Sequence, residues 1–551
     1  MRNHLKKLIV PLLAVMLFLS ACGSPASGTN VSGSATQPDS SPAETNAPST
    51  ETDAPSDEAN ASSATSETMG NNMLMLAAPR DLKRQLAHEG ETLVFDTLTA
   101  RDEDGSAIPR VVSWETNADV TEYTLRVQES VYFTDGTLLT AEHIQYSLEY
   151  FGPFRSVAFL NLLEDITIVD ELTLHVRFSE TFGLFPMDMN LLFAVPLGSV
   201  DETGTITDWT GTGQFIIEEY EVDQQAVLVT NMDYWDRDRV PDIDGVTIMV
   251  IPDVNARIMA LRSGTVHALG VSECLNTYPM AAVAEIQNLG DFNVRENNAA
   301  ANVQAYGFNY LQGPLTDINL RRAIVYAIDR DTIADALLYG IGVGRGHFTS
   351  PGIQFFAENE TEYTFDLERA RAALAEGGYT ETNADGIILV DGEPLVLRIV
   401  IRTGATPDSV ALIVQDMLRY IGIDSEITSL PIPEANELVR AGDYDISWTH
   451  PFTSDPQRHL LSRPFRGEYD DSGLGYDISD DFVANRHTAL SSTDLNEIQE
   501  AFNRIWADIY AFYLGTGLHT SPRVFMYSQN VSGFVFDPDV YYINLTDVVI
   551  N

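Results

Sequence analysis

The stretch EYTLRVQESVYFTDGTLLTAEHIQYSLEYF, residues 122–151, places strand-like alternation, an Asp135-Gly136 turn and an amphipathic helix in immediate succession. The alternation over 122–133 predicts a pair of strands, because successive side chains of a strand point to opposite faces. Thr140 is a good helix N-cap and Glu142 adds negative charge to the first turn. Ile144, Leu148 and Phe151 then share one helical face. Sheet and helix must therefore pack closely, which points to a mixed α/β body.

The same alternation of elements runs on. EDITIVDELTLHVRFS (164–179) predicts a hairpin around Asp170-Glu171, and GTGQFIIEEYEVDQQAVLVTN (211–231) another near Asp223. DGVTIMVIPDVNARIMALRSGTVHAL (244–269) reads as strand, Pro-Asp break, helix, Gly264 cap and strand. Helices are predicted in 317–340, 366–379 and 409–423, and strands in 393–403, from Asp424 to Leu430 and in 442–450. Strands in several clusters predict more than one lobe.

Charge limits the partners. The chain carries 80 acids against 32 bases, and its only lysines are Lys6, Lys7 and Lys83. Phosphate backbones reward basic patches, so no nucleic-acid partner is expected. An acidic surface suits a protein outside the cytoplasm, and equally a salt-adapted one.

The first residues, MRNHLKKLIVPLLAVMLFLSAC, show a basic start and an apolar run from Leu8 to Leu19 that is short for a bilayer span. Leu19-Ser20-Ala21-Cys22 resembles the bacterial lipobox, which implies cleavage before Cys22 and lipidation of its thiol. Residues 23–70 hold no aromatic residue and are rich in Ser, Thr, Ala, Pro and acids. Such a segment buries too little apolar surface to fold and reads as a tether. The expected location is the extracytoplasmic face of the cell membrane, lipid-anchored. Cys274 is left without a partner and is expected to be a buried small hydrophobe.

Ten pieces in order carry a family resemblance. They are SWE (113–115), the stretch from Tyr123 to Glu149, GTGQFIIEEY, NMDYW (231–235), IPDVNARIMALRSGTVHAL, YGFNY (306–310), LRRAIVYAIDRDTI, LERARAALAEGGY, IVQDMLRYIGI and YDISW…SDP. From about residue 92 to near the C-terminus the chain resembles the extracytoplasmic solute-binding proteins of ABC importers, in the peptide and nickel binding family 5. The resemblance implies a two-lobed, periplasmic-binding-protein-like type II α/β fold with an additional inserted α/β domain. It divides the chain into a signal peptide (1–21), lipidated Cys and tether (22–70), a first lobe (71–272, with a subdomain at about 105–195), a second lobe (273–514) and a C-terminal return (515–551). The family has a longer opening before the equivalent of ETLVFDTL, so the first strands are expected to be missing or rearranged.

The implied role is capture of oligopeptides and delivery to ABC permease subunits, by a monomer without cofactor, metal or catalysis. The alternatives are nickel or a metal chelate as ligand, or a peptide-sensing lipoprotein. No G-x-S-x-G, H-E-x-x-H or P-loop occurs, and none of the three lysines precedes Ser or Thr. Peptide-binding members hold the ligand amine with an aspartate in the loop after YDISW, a position near Pro451 or Phe452 here. The nickel members' Arg and Trp fall on Ser156 and Phe159, and their His near Gly467-Glu468. Neither ligand set carries over intact. The loop nonetheless offers Trp448, His450, Phe452, Asp455, Arg458 and His459 for stacking and charge pairing. Tyr306, Asn309 and Phe159 are further ligand-binding candidates, each open to a core or solvated reading instead.

Overall fold

In the computed structural model the described residues are 72–84, 90–102, 105–154, 158–270, 278–347, 355, 363–449, 479–536 and 543–551. Cys22, the tether and Cys274 lie outside them.

Beside several two- and three-residue ones, fourteen strands among the described residues carry the two larger sheets. They are β1 (Met73–Ala78), β2 (Val112–Thr116), β3 (Glu122–Val127), β4 (Leu163–Asp170), β5 (Thr173–Phe178), β6 (Phe215–Glu221), β7 (Gln225–Thr230), β8 (Gly245–Val250), β9 (Ala268–Leu269), β10 (Phe292–Phe308), β11 (Val396–Arg402), β12 (Asp424–Leu430), β13 (Ile446–Thr449) and β14 (Gly515–Ser528). The main sheet runs β12-β11-β13-β10-β14-β9-β1-β8-β7-β6, with the short strand Val343–Gly344 also paired to β14. A second, antiparallel sheet has the order β2-β3-β5-β4.

An opening strand is present. β1 lies between β8 and β9, parallel to both, and Leu74, Leu76, Ala77 and Ala78 are buried. Its sequence, MLMLAA, has no β-branched residue, so its conformation comes from pairing with β8 and β9 along both edges rather than from local propensity.

The stretch over 122–133 is half strand. β3 ends at Val127, and beyond it only Tyr132 pairs, in an isolated bridge with Leu138. The expected strand pair is thus one strand and a turn, with Ser130 at positive φ. The helix over Ala141–Tyr146 is present and capped by Thr140, with His143 completing a reciprocal capping box; the backbone then loosens into a π-turn over Ser147–Phe151. Ile144, Leu148 and Phe151 are fully buried, as their spacing predicts. The hairpins at Asp170-Glu171 and Asp223, the Gly264 cap, and two helices over Ile318–Ala327 and Arg330–Leu337 are also observed.

Many acids are spent on helix starts. Asp253, Asp317, Asp329, Asp366 and Asp494 each accept a backbone N–H at an N-cap. Each such cap contributes about 1 kcal/mol. No helix among the described residues is long and apolar enough to cross a membrane.

β10 and β14 are the two long central strands of the main sheet. β14 meets β9 at its C-terminal end, and β10 meets β13 at its own. Midway the ladder between them skips from Asn297↔Arg523 to Asn302↔Ser521, so residues 298–301 face only Pro522. Proline has no N–H to donate, so the ladder cannot close there.

Candidate functional site

β13 is held at its start by a buried carboxylate. Asp445 takes the backbone N–H of Arg398 at 2.8 Å and that residue's Nε and Nη2 at 3.1 Å each. The end of β10 is clamped to the same segment. Asn309 donates its Nδ2 to the carbonyls of Gly442 (3.1 Å) and Tyr444 (2.9 Å), and its backbone N–H to Asp445 (2.9 Å). These bonds fix the register in which Tyr306 of β10 lies opposite Trp448 of β13. Their rings meet edge to face, 6.2 Å between centroids at 68°. Both are buried.

Two residues earlier on β10, and across a register shift in which β14 carries one extra residue, Leu518, Gln304 lies opposite His519 of β14. Residues two apart on a strand share a face, and so do cross-strand partners. Gln304, Tyr306 and His519 therefore stand on one face. Among the described residues, the Tyr306 hydroxyl, the Gln304 Oε1 and both ring nitrogens of His519 are buried without a hydrogen-bond partner. Burial raises the pKa of Tyr306 above its ordinary value and pushes His519 down to about 4. Both groups are neutral around pH 7, so they offer hydrogen bonds rather than charge.

The His519 shift carries a stability prediction. Its ordinary pKa is 6.5 and its folded value is about 4. Below pH 6.5 the unfolded chain binds a proton here that the folded chain refuses. This group has no effect on stability above pH 6.5, and stability falls as pH drops from there to about 4, by about 3 kcal/mol in all. Urea unfolding at about pH 7 and about pH 5 measures it. His519→Phe is expected to flatten the difference between them.

The sequence profile of the bacterial extracellular solute-binding proteins, family 5 middle region, matches residues 111–473. The chain belongs to this family. Among relatives of this family 5 protein, the nickel-binding periplasmic protein of Escherichia coli is 24% identical over 388 residues, covering 68% of this chain and 73% of the relative. The oligopeptide-binding protein AppA of Bacillus subtilis is 22% identical over 449 residues, covering 76% and 80%. The solved structure of NikA from Brucella suis in complex with Fe(III)-EDTA superposes with a TM-score of 0.78 at 21% identity, over 87% of this chain and all of that one. The family 5 protein thus has the two-lobed, type II periplasmic-binding-protein fold, a mixed α/β body around a large central sheet.

Of the site candidates read from the sequence, the fold brings Tyr306 and Trp448 into contact. Asn309 is 1% exposed and its amide is taken up by the backbone clamp. Phe159 is fully buried, edge to face with Phe185 at 5.3 Å, and its N–H donates to Asp188. Both hold the body together. His450, Phe452, Asp455, Arg458 and His459 lie outside the described residues. Sequence reading missed Gln304 and His519. They are 215 positions apart in a single-chain numbering that says nothing of their pairing, and neither sits in a motif; only the β10–β14 register joins them.

Proposed function

We propose that this family 5 protein is the substrate-binding component of an ABC importer, that it captures oligopeptides, and that lipidated Cys22 holds it at the outer face of the cell membrane. The carrying observation is the set of neutral, unpartnered hydrogen-bonding groups of Gln304, Tyr306 and His519 beside Trp448. Peptide backbones are chains of neutral donors and acceptors, and apolar walls with a few placed polar groups suit them. The oligopeptide-binding relative, aligned over 80% of its length, supports this reading. The lobes are taken as 71–272 with 515–551, and 273–514. Ligand lies between them, and closure is driven by its tighter binding to the closed form. The skip in the β10–β14 ladder at Pro522 is the bending point in this account. The loop candidates His450, Phe452, Asp455, Arg458 and His459 are proposed as contacts from the second lobe. Catalysis is not part of the proposal.

The nickel-binding relative favours a second reading, in which a metal or its chelate is the cargo. A tryptophan fluorescence titration separates the two. A mixture of short peptides is expected to change the emission, and Ni(II), alone or with histidine, to leave it unchanged. The reverse pattern sinks the peptide reading.

A further inference from the structure

Four polar atoms without partners, close together on one sheet face, need an explanation. A buried polar group left without a hydrogen bond costs free energy, and native proteins satisfy nearly all of them. Here the hydroxyl of Tyr306, the Oε1 of Gln304, and the Nδ1 and Nε2 of His519 are all unpartnered among the described residues. Tyr306 is fully buried and His519 is 2% exposed.

Described residues border the group from β13, from β14 and from the strand at Gly344. Trp448 packs against the Tyr306 ring from β13. Thr516, opposite Tyr306 on β14, is engaged by the guanidinium of Arg330. Beyond His519 the neighbouring rung is Gly344, which brings no side chain; a Cβ there would lie 2.3 Å from the carbonyl oxygen of Arg330. Gln304, at the other end of the group, is only half-buried.

We propose that Gln304, Tyr306 and His519 form a subsite that takes a neutral polar group of the bound ligand, of the chemistry of a peptide amide. An amide offers an N–H and a carbonyl together. The carboxamide oxygen of Gln304 accepts the N–H. The Tyr306 hydroxyl donates to the carbonyl. Neutral imidazole supplies one donor and one acceptor whichever tautomer it holds. Gln304, Tyr306 and His519 are themselves uncharged at neutral pH, and the nearby guanidinium of Arg330 is engaged by Thr516, so the three groups suit a neutral polar partner. The subsite rests on the peptide reading above and adds where one amide of the peptide is read.

Tyr306→Phe is the decisive variant, because it removes one hydroxyl and nothing of the packing with Trp448. Since that hydroxyl has no partner among the described residues, the ligand-free variant is expected to melt at the same temperature as wild type or higher. His519→Phe is the second variant. Both are titrated in the full chain with a mixture of synthetic pentapeptides as probe. The subsite predicts that wild type binds and that each variant binds about tenfold more weakly, with folding at neutral pH unchanged. Wild type binding with both variants within about twofold of it overturns the subsite and leaves the peptide reading standing. No peptide bound by wild type overturns the peptide reading, and the subsite with it.

Discussion

Replacing Asp96 by alanine is expected to lower the stability of the folded body by about 3–5 kcal/mol. The carboxylate is fully buried and holds three donors: Arg110 Nε, the Tyr234 hydroxyl and Trp235 Nε1, each at 2.8 Å. The Arg110 side chain is itself only 6% exposed. A surface ion pair of this kind contributes at most about 1 kcal/mol, because water competes for both charges. A buried one behaves differently on truncation. The alanine variant removes the counter-charge and two further acceptor bonds while leaving the guanidinium in place. Asp96→Asn keeps an acceptor oxygen and is expected to lose less. Urea unfolding of the three proteins measures the series. A loss below about 1 kcal/mol for the alanine variant would show that water reaches the cluster and that it does not tie these segments together.

This cluster also explains one piece of the family resemblance. NMDYW reads as a signature without an obvious chemistry. Its Tyr234 and Trp235 are the residues that reach Asp96, and Asn231 closes the turn by donating to the Gly213 carbonyl at 3.0 Å. The motif serves packing, and its aromatic pair sits far in sequence from the carboxylate that requires it. Fold class was legible because periodicity, turns and caps are local: Thr140, Asp170, Asp223 and Gly264 each mark a boundary that the structure has. What was not legible depended on enclosure. β1 has weak strand propensity and forms because β8 and β9 flank it. The alternation after Val127 was misleading, since Val131 and Phe133 are buried from a turn and not from a strand.

The candidate site was half legible for the same reason. Trp448 and Tyr306 stand at the ends of readable strands, so an aromatic floor could be anticipated. Asn309 looked equally available, yet its amide is committed to the Gly442 and Tyr444 carbonyls. Gln304 and His519 gain meaning only from strand register, which a sequence pattern does not fix between strands so far apart.

The second large effect concerns location. Cys22→Ala is expected to abolish anchoring entirely. With the cysteine, a lipid on residue 22 is expected to keep the protein in the membrane fraction. Without it, the protein appears in the medium or persists as an uncleaved precursor of higher mass. A single acyl chain binds a membrane weakly and reversibly, whereas two or more hold it stably, so the change is close to all-or-none. Fractionation and intact mass together read the result. Membrane association and mass both unchanged, apart from the substituted atom, would remove the lipid anchor from the account.

Native mass spectrometry of the purified protein tests the central claim most directly, first as isolated and then after unfolding, dialysis and refolding. Capture of oligopeptides predicts that the isolated protein releases a heterogeneous set of peptide masses, and that the refolded, emptied protein takes up peptides again. A single small mass, or a metal isotope pattern in the released species, would contradict it and make a metal or its chelate the cargo.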